Sequence, residues 1–163
     1  MQTRQQMPQP GPAKEASTPA PAGRIIDIPE GTPVLFHIYG SAGVSAYTAA
    51  SMERSNRRVI QVDQDVAVGN AVVVPRGSLG MAHADGLENG KYKWHGYKKR
   101  GQVRLFFHVI YVFSVASTKL DLDPERMVVD EAHQNGEIVD YGVRFLIDSQ
   151  FTAKLKHATI ALP

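Results

Sequence analysis

The chain contains two Asp-x-Asp pairs, Asp63/Asp65 and Asp121/Asp123, whose spacing could suit cation binding or acid catalysis. On a β-strand, residues two positions apart point to the same face, so paired carboxylates would stand about 6–7 Å apart. Two carboxylates at that separation could bind a divalent cation or serve as catalytic acids. The same pattern is common where a strand ends in solvent, and we interpret both pairs as solvated strand ends.

Histidines are the second set of candidate ligands or bases, and the chain has six: His37, His83, His95, His108, His133 and His157. No two have the spacing of an HExxH motif, and none belongs to a recognisable ligand cluster. Because His37 and His108 lie within apolar strand patterns, we interpret them as structural histidines. The chain lacks cysteine, which excludes a disulfide framework and a thiolate metal site.

These observations predict that the protein is not an enzyme and uses no metal or other cofactor. A catalytic site would require histidines or Asp-x-Asp carboxylates to meet in one pocket, which spacing along the chain does not show.

The segment "GKYKWHGYKKRGQ" (90–102) combines cations with aromatic rings and contains no acid. Its candidate binding residues are Lys91, Lys93, Trp94, Tyr97, Lys98, Lys99 and Arg100. The cations could neutralise phosphates while the rings stack on bases or sugars. The interpretation that we favour is a solvated connection between two strands, in which Lys and Arg prevent pairing at the sheet edge.

The elements that must position these residues are predicted to be β-strands. Residues 1–24 are rich in Pro, Ala and Gln and contain no aromatic residue, so we predict a disordered tail or linker. From residue 25 to residue 163, strand-like runs alternate with turn signals such as Gly69-Asn70 and with a predicted hairpin turn at Asn135-Gly136. This pattern predicts one all-β domain, a small barrel or sandwich of about eight strands. Residues 44–56 could form a loop or one short helix.

Two similar breaks, Pro29-Glu30-Gly31-Thr32 and Pro75-Arg76-Gly77-Ser78, separate apolar strands. A chain that stops at proline and turns through glycine makes a sharp corner. We therefore predict structural corners at Pro29, Gly31, Pro75 and Gly77, with a positive φ at one or both glycines. A third break, at 147–149, has the same position between apolar runs but lacks the Pro-x-Gly signature.

The longest strand-like run, "VRLFFHVIYVFSV" (103–115), is expected to supply much of the core. Strict alternation assigns one face to the core, comprising Leu105, Phe107, Val109, Tyr111 and Phe113. The opposite face begins with Arg104, whose replacement by alanine should then cost little.

The motifs "IPEGT" (28–32) and "VPRGSLG" (74–80), with Val62, Asp65, Val66 and Val68 between them, resemble a class of small bacterial cell-envelope β-domains. The carboxy-terminal barrel of VirB10/TrbI-type conjugation and secretion proteins carries a related, more distant pattern. The resemblance covers about residues 25–123, with a fainter match at 151–155. It concerns strands and corners, and therefore implies a fold more directly than a chemistry.

The resemblance implies a non-catalytic structural or interaction module of the bacterial cell envelope, with protein partners such as those of a secretion or conjugation assembly. It also implies a periplasmic or envelope-associated location. No signal peptide is visible, so a cytoplasmic location is the alternative. The longest apolar run, 105–116, is too short to span a bilayer. The alternative function is a polyanion- or nucleic-acid-binding module that uses residues 91–100.

If residues 91–100 bind a polyanion, affinity must fall steeply with salt, because counterion release supplies most of it. The five cations of this segment limit the log–log salt slope to about −4.5 on duplex DNA and about −3.5 on single strands. Replacing Lys98, Lys99 and Arg100 by serine should flatten the slope by about 2–3. Titration of a fluorescent oligonucleotide, heparin and lipopolysaccharide at two salt concentrations measures this. Absence of binding at low salt would leave the segment as a solvated connection.

Overall fold

The structure is a computed structural model that describes residues 22–39, 46–48, 57–88, 104–139, 142–145 and 149–163. The predicted tail up to residue 21, the predicted binding segment 91–100 and most of residues 44–56 lie outside them. Every regular element in the described residues is a β-strand, which confirms the all-β prediction. The described residues contain no helix that is long and apolar enough to cross a membrane.

The described part of the chain contains fourteen strands. In chain order they are β1 (Ile25–Ile28), β2 (Pro33–Ile38), β3 (Ala46–Thr48), β4 (Arg57–Val62), β5 (Val66–Val68), β6 (Ala71–Val74), β7 (Leu79–Glu88), β8 (Arg104–Phe113), β9 (Lys119–Asp121), β10 (Met127–Val129), β11 (Gly136–Val139), β12 (Gly142–Phe145), β13 (Phe151–Lys154) and β14 (Ala158–Ala161).

The main sheet has seven strands in the order β10-β8-β7-β4-β2-β13, with β9 also paired to β8. It curls into a half-barrel. One bridge, between Leu122 and Leu155, joins the β9 side to the β13 side. Two backbone hydrogen bonds flank this bridge: Asp123 N donates to Lys154 O at 2.8 Å, and Lys156 N donates to Asp121 O at 2.9 Å.

Three smaller sheets complete the described domain: β1 with β14, β5 with β6, and β11-β12-β3. The β5–β6 connection is the predicted Gly69-Asn70 turn, in which Gly69 has φ 61°. Near the β1–β14 pair, Gly23 N donates to Leu162 O at 2.7 Å. Gly23 belongs to the predicted tail, so the end of that segment contacts the domain.

Two local predictions were wrong. Asn135-Gly136 does not form a hairpin turn, because β10 pairs with β8 whereas β11 pairs with β12. The Asn135 side chain instead accepts from Asp130 N at 2.9 Å and donates to Val128 O at 3.0 Å, which ties the turn back to β10. In the region predicted as a loop or helix, residues 46–48 form β3, which pairs with β12.

The core is one cluster of apolar side chains drawn from the main sheet and from both two-stranded sheets. At its centre the ring of Phe107 meets the rings of Phe36 and Phe151 edge-on, at centroid distances of 6.5 and 5.1 Å. Phe36 and Phe151 stack at 5.7 Å. Aromatic packing of this kind adds to the stabilisation from burial alone.

The predicted core face of β8 is correct for its first half only. Leu105, Phe107 and Val109 are buried, but Tyr111 and Phe113 are partly exposed and Val112 takes the core position. The reason is a β-bulge: Met81 pairs with Tyr111 and Ala82 with Val109, so Ile110 has no partner in β7. One extra residue reverses the alternation for the rest of the strand.

Arg104 begins the outer face of β8 as expected, but it has a contact that the alternation pattern does not predict. Its side chain is 47% exposed, but its Nε lies 3.5 Å from Oδ2 of Asp130, which is fully buried. That oxygen has no hydrogen-bond partner, so Arg104 supplies its nearest compensating charge. Removing Arg104 takes away this charged neighbour and leaves His133, 2.6 Å from Oδ1, as the remaining ion-pair partner, so Arg104→Ala should destabilise the fold.

The two predicted corners share one hydrogen-bonding pattern. In the first, Thr32 N donates to Pro29 O, and in the second, Ser78 N donates to Pro75 O. Each glycine N–H then donates to a facing strand, at 2.8 Å in both cases: Gly31 to Leu155 O and Gly77 to Val62 O. The φ angles are 85° at Gly31 and 91° at Gly77, which confirms the prediction of positive φ.

Gly31→Val and Gly77→Val should each destabilise the protein by about 1–3 kcal/mol, the usual cost of a strained backbone. A Cβ at either glycine meets nothing within 4 Å, so the cost comes from φ and not from a clash. Replacement by asparagine, which tolerates positive φ better, is the matched control. Urea denaturation provides the measurement, and unchanged midpoints in both valine variants would refute the corner assignment.

Phe107→Ala should lower the free energy of unfolding by about 3–5 kcal/mol, because it opens a cavity among three packed rings. Thr152→Ala, at an exposed position of β13, is the control and should have little effect. Hydrogen exchange gives a second check, since amides of β8 should be among the last to exchange. Early exchange of this strand would contradict its place at the centre of the core.

Candidate functional site

The candidate site lies on the outer face of the main sheet, where β7 pairs with β8. His83 and His108 are direct cross-strand partners. A second bulge follows them, because Ala84 pairs with Phe107 and Gly86 with Phe106, which leaves Asp85 without a partner in β8. The histidine pair therefore stands between two bulges, one on each strand. Bulges re-aim side chains, and they are frequent beside functional sites.

The bulge brings the Asp85 carboxylate against both imidazoles. Nδ1 of His108 lies 2.8 Å from Oδ1 and 2.9 Å from Oδ2 of Asp85, and Nδ1 of His83 lies 3.5 Å from Oδ1. The two rings are 5.5 Å apart between centroids, with an angle of 50° between their planes. All three side chains are partly exposed, at 33% for His83, 27% for Asp85 and 23% for His108. The trio is thus hydrogen-bonded and accessible to a small ligand.

Charged residues surround this trio on both sides. Arg57, which is exposed, is the cross-strand partner of His83 on β4. On the other side, His108 lines a pocket of about 270 Å³ together with Asp121 and Lys156. The apolar part of the lining comes from Val109, Ile110, Leu122 and Pro124.

This pocket satisfies the condition set above for a catalytic site, since it contains a histidine and one carboxylate of an Asp-x-Asp pair. However, no hydroxyl or thiol side chain is among the described residues that line it. Among the described residues, His108 with Asp85 is an oriented base without a side-chain nucleophile beside it.

Each histidine among the described residues pairs with an aspartate: His37 with Asp63, His83 and His108 with Asp85, His133 with Asp130, and His157 with Asp27. His37 and His108, both interpreted from the sequence as structural histidines, lie on the sheet face, where Nδ1 of His37 is 2.7 Å from Asp63 and Nδ1 of His108 is 2.8 Å from Asp85. Within the described ranges, only the trio on β7 and β8 brings three potential metal ligands together.

The Asp63/Asp65 pair does not act as a unit. The Asp63 carboxylate contacts His37 and accepts a hydrogen bond from Gln150 Nε2 at 3.0 Å. Asp65 accepts from the backbone N–H of Arg76 at 2.7 Å and so supports the second corner. The two carboxylates therefore serve different neighbours instead of simply facing solvent.

Apolar side chains also occupy the outer face beside the trio. We call this set the outer apolar band: Tyr39, Val59, Leu79, Met81, Tyr111 and Phe113. Val59 pairs with Met81, and Met81 pairs with Tyr111, so the band crosses from β4 through β7 to β8. Tyr39 is 53% exposed and Leu79 41% exposed. The Lys119 ammonium lies 4.5 Å from the centroid of the Tyr111 ring, at the edge of the band.

The structure positions the predicted corners but not the predicted binding segment. Residues 91–100 lie outside the described residues, within the stretch that joins β7 to β8 beyond the Glu88–Arg104 pair. No motif in the sequence singles out the trio. Its only local signal is the His-x-Asp spacing in "MAHADG" (81–86), because His108 comes 23 residues after Asp85.

Comparisons with protein-family models, with curated proteins and with solved structures found no match to this chain.

Proposed function

We propose that this domain is a non-catalytic interaction module of the bacterial cell envelope and that a protein partner binds the outer apolar band. The observation that carries the proposal is the exposure of Tyr39 and Leu79 within a band of apolar side chains. The outward face of an antiparallel sheet is normally polar. A contiguous apolar patch with a polar rim is typical of a protein interaction site.

The chemistry of the band suggests what the partner presents. Tyr111 and Phe113 pack edge to face at 5.4 Å and offer aromatic surface of the kind that anchors protein interfaces. The rim carries both signs of charge, from Lys119 and Asp121 on β9 to Arg57 on β4. A partner with an apolar or aromatic centre and a mixed polar border would complement this surface.

The assignment to the envelope rests on the resemblance of the two Pro-x-Gly corner motifs to those of envelope β-domains. The two corners have matching hydrogen bonds, as expected of one repeated structural motif. A secretion or conjugation assembly is the specific setting that the VirB10/TrbI-type resemblance suggests. A polyanion-binding function would use residues 91–100 and stays a prediction.

Photo-crosslinking in cells of the source organism tests the proposal. A benzophenone amino acid at Leu79 should give a discrete adduct with another protein, and the adduct should fractionate with the envelope. The same probe at Thr152, exposed on β13 outside the band, is the matched control and should give none. Tyr39→Asp should reduce the Leu79 adduct by about tenfold or more, as expected for a charge placed in an apolar interface.

Three results would contradict the proposal. Equal crosslinking from Leu79 and Thr152 would mean that the band is not a preferred contact. An adduct that Tyr39→Asp leaves unchanged would place the contact elsewhere. Recovery of the protein and its adduct in the cytoplasmic fraction would refute the envelope assignment while leaving an interaction role.

A further inference from the structure

We propose that His83, Asp85 and His108 form a binding site for a divalent transition-metal ion of the Zn²⁺ class. One potential ligand atom from each residue lies within 4.8 Å of the other two. Two imidazole nitrogens and one carboxylate oxygen are a ligand set that such ions accept.

The geometry needs little adjustment to accept the ion. With bonds of about 2.0–2.1 Å, the donor atoms of a tetrahedral site stand roughly 3.3 Å apart. Nδ1 of His83 is already 3.5 Å from the Asp85 carboxylate, and Nδ1 of His108 is 2.8 Å from it. Small rotations of these partly exposed side chains can lengthen the distance from His108 Nδ1 to the Asp85 carboxylate. The same rotations can bring the two imidazole nitrogens closer together.

The backbone fixes this arrangement from both strands. Direct cross-strand pairing holds His83 opposite His108, and the bulge at Asp85 turns a third donor toward them. Donors on paired strands are positioned more rigidly than donors on a loop.

A simple hydrogen-bonded pair does not require this arrangement. His37 with Asp63 and His157 with Asp27 each join one histidine to one aspartate, at 2.7 Å in both cases. At Asp85, a second imidazole approaches a carboxylate that His108 already contacts through both oxygens. Two imidazoles beside one carboxylate supply three ligands that a single metal ion could bind at once.

The ligand types select the class of ion. Imidazole nitrogen suits Zn²⁺, Co²⁺, Ni²⁺ and Cu²⁺, whereas Mg²⁺ and Ca²⁺ prefer sites made only of oxygen. Three protein ligands leave one position for water, as in open zinc sites. Each imidazole must present an unprotonated nitrogen to the metal, so protons compete with the metal and binding weakens at low pH.

The neighbouring charges moderate the affinity. Arg57, the cross-strand partner of His83, and Lys156, which lines the pocket beside His108, both disfavour a cation. Asp121, which lines the same pocket, favours one. A site of moderate affinity is therefore expected.

The test uses the full chain without a polyhistidine tag and with His95→Gln, which removes a histidine outside the described residues. Zn²⁺ is titrated against a chromogenic chelator, and Co²⁺ is followed by its visible absorption. One ion should bind per chain. Asp85→Asn and His108→Gln should each weaken binding by at least about tenfold, the lower end of the effect of losing even an outer-shell partner of a metal site.

His37→Gln is the matched control, because it removes an imidazole paired with an aspartate on the same sheet, and it should leave the affinity unchanged. Equal affinity in His37→Gln and His108→Gln, or no binding of either metal, would overturn the proposal.

If the site variants fail to fold, ¹⁵N shifts of the wild-type histidine rings decide the matter. Zn²⁺ must then shift the signals of His83 and His108 but not that of His37, and Mg²⁺ must shift none. Failure of the metal site would not affect the proposed interaction surface, which the crosslinking experiment tests separately.

Discussion

The antiparallel pairing of β7 with β8 is the interaction on which the rest of the described structure depends. It is the most extensive strand pairing of the main sheet, running from Gly80–Val112 to Glu88–Arg104. A Cβ at Gly80 would collide with the backbone carbonyl of Tyr111 and crowd Val112 and Ile60. Only glycine lets the strands approach this closely. Gly80 therefore favours one register of β7 against β8, and this register determines which side chains lie on each face of the sheet.

Two single-residue insertions in that pairing give the sheet its two distinct surfaces. The bulge at Ile110 moves Val112 into the core and turns Tyr111 and Phe113 outward. The bulge at Asp85 turns a carboxylate toward the histidine pair. The apolar surface and the polar trio thus have one common cause, which is a departure from regular alternation. A bound partner on the outer apolar band would lie next to the trio.

The histidine–aspartate pairs show how this fold satisfies polar groups outside its core. Each described histidine contacts a carboxylate at 3.5 Å or less. Asp130 differs from the other aspartates because it is fully buried. Its Oδ1 lies 2.6 Å from Nδ1 of His133, and its Oδ2 lies 3.5 Å from Nε of Arg104. The exposed pairs, unlike the one at Asp130, orient side chains more than they stabilise the fold, because exposed partners are well solvated. At Asp85 two histidines share one carboxylate, so three potential metal ligands lie close together.

Features that depend on neighbours along the chain could be predicted from the amino-acid sequence. Alternation and turn signals predicted an all-β domain, and the Pro-x-Gly motifs predicted corners whose glycines adopt positive φ. Backbone sterics at Gly31 and Gly77 act over a few residues, so they can be read locally. The hairpin prediction at Asn135-Gly136 was wrong because β10 and β11, on either side of it, belong to different sheets. Only the tertiary structure decided which residues meet across strands. His83 and His108 face each other because of register, and two bulges that no local pattern announces set that register and bring Asp85 between them. The candidate metal site and the outer apolar band were therefore beyond sequence reasoning, since a shift of one residue in strand pairing exchanges the two faces of a sheet.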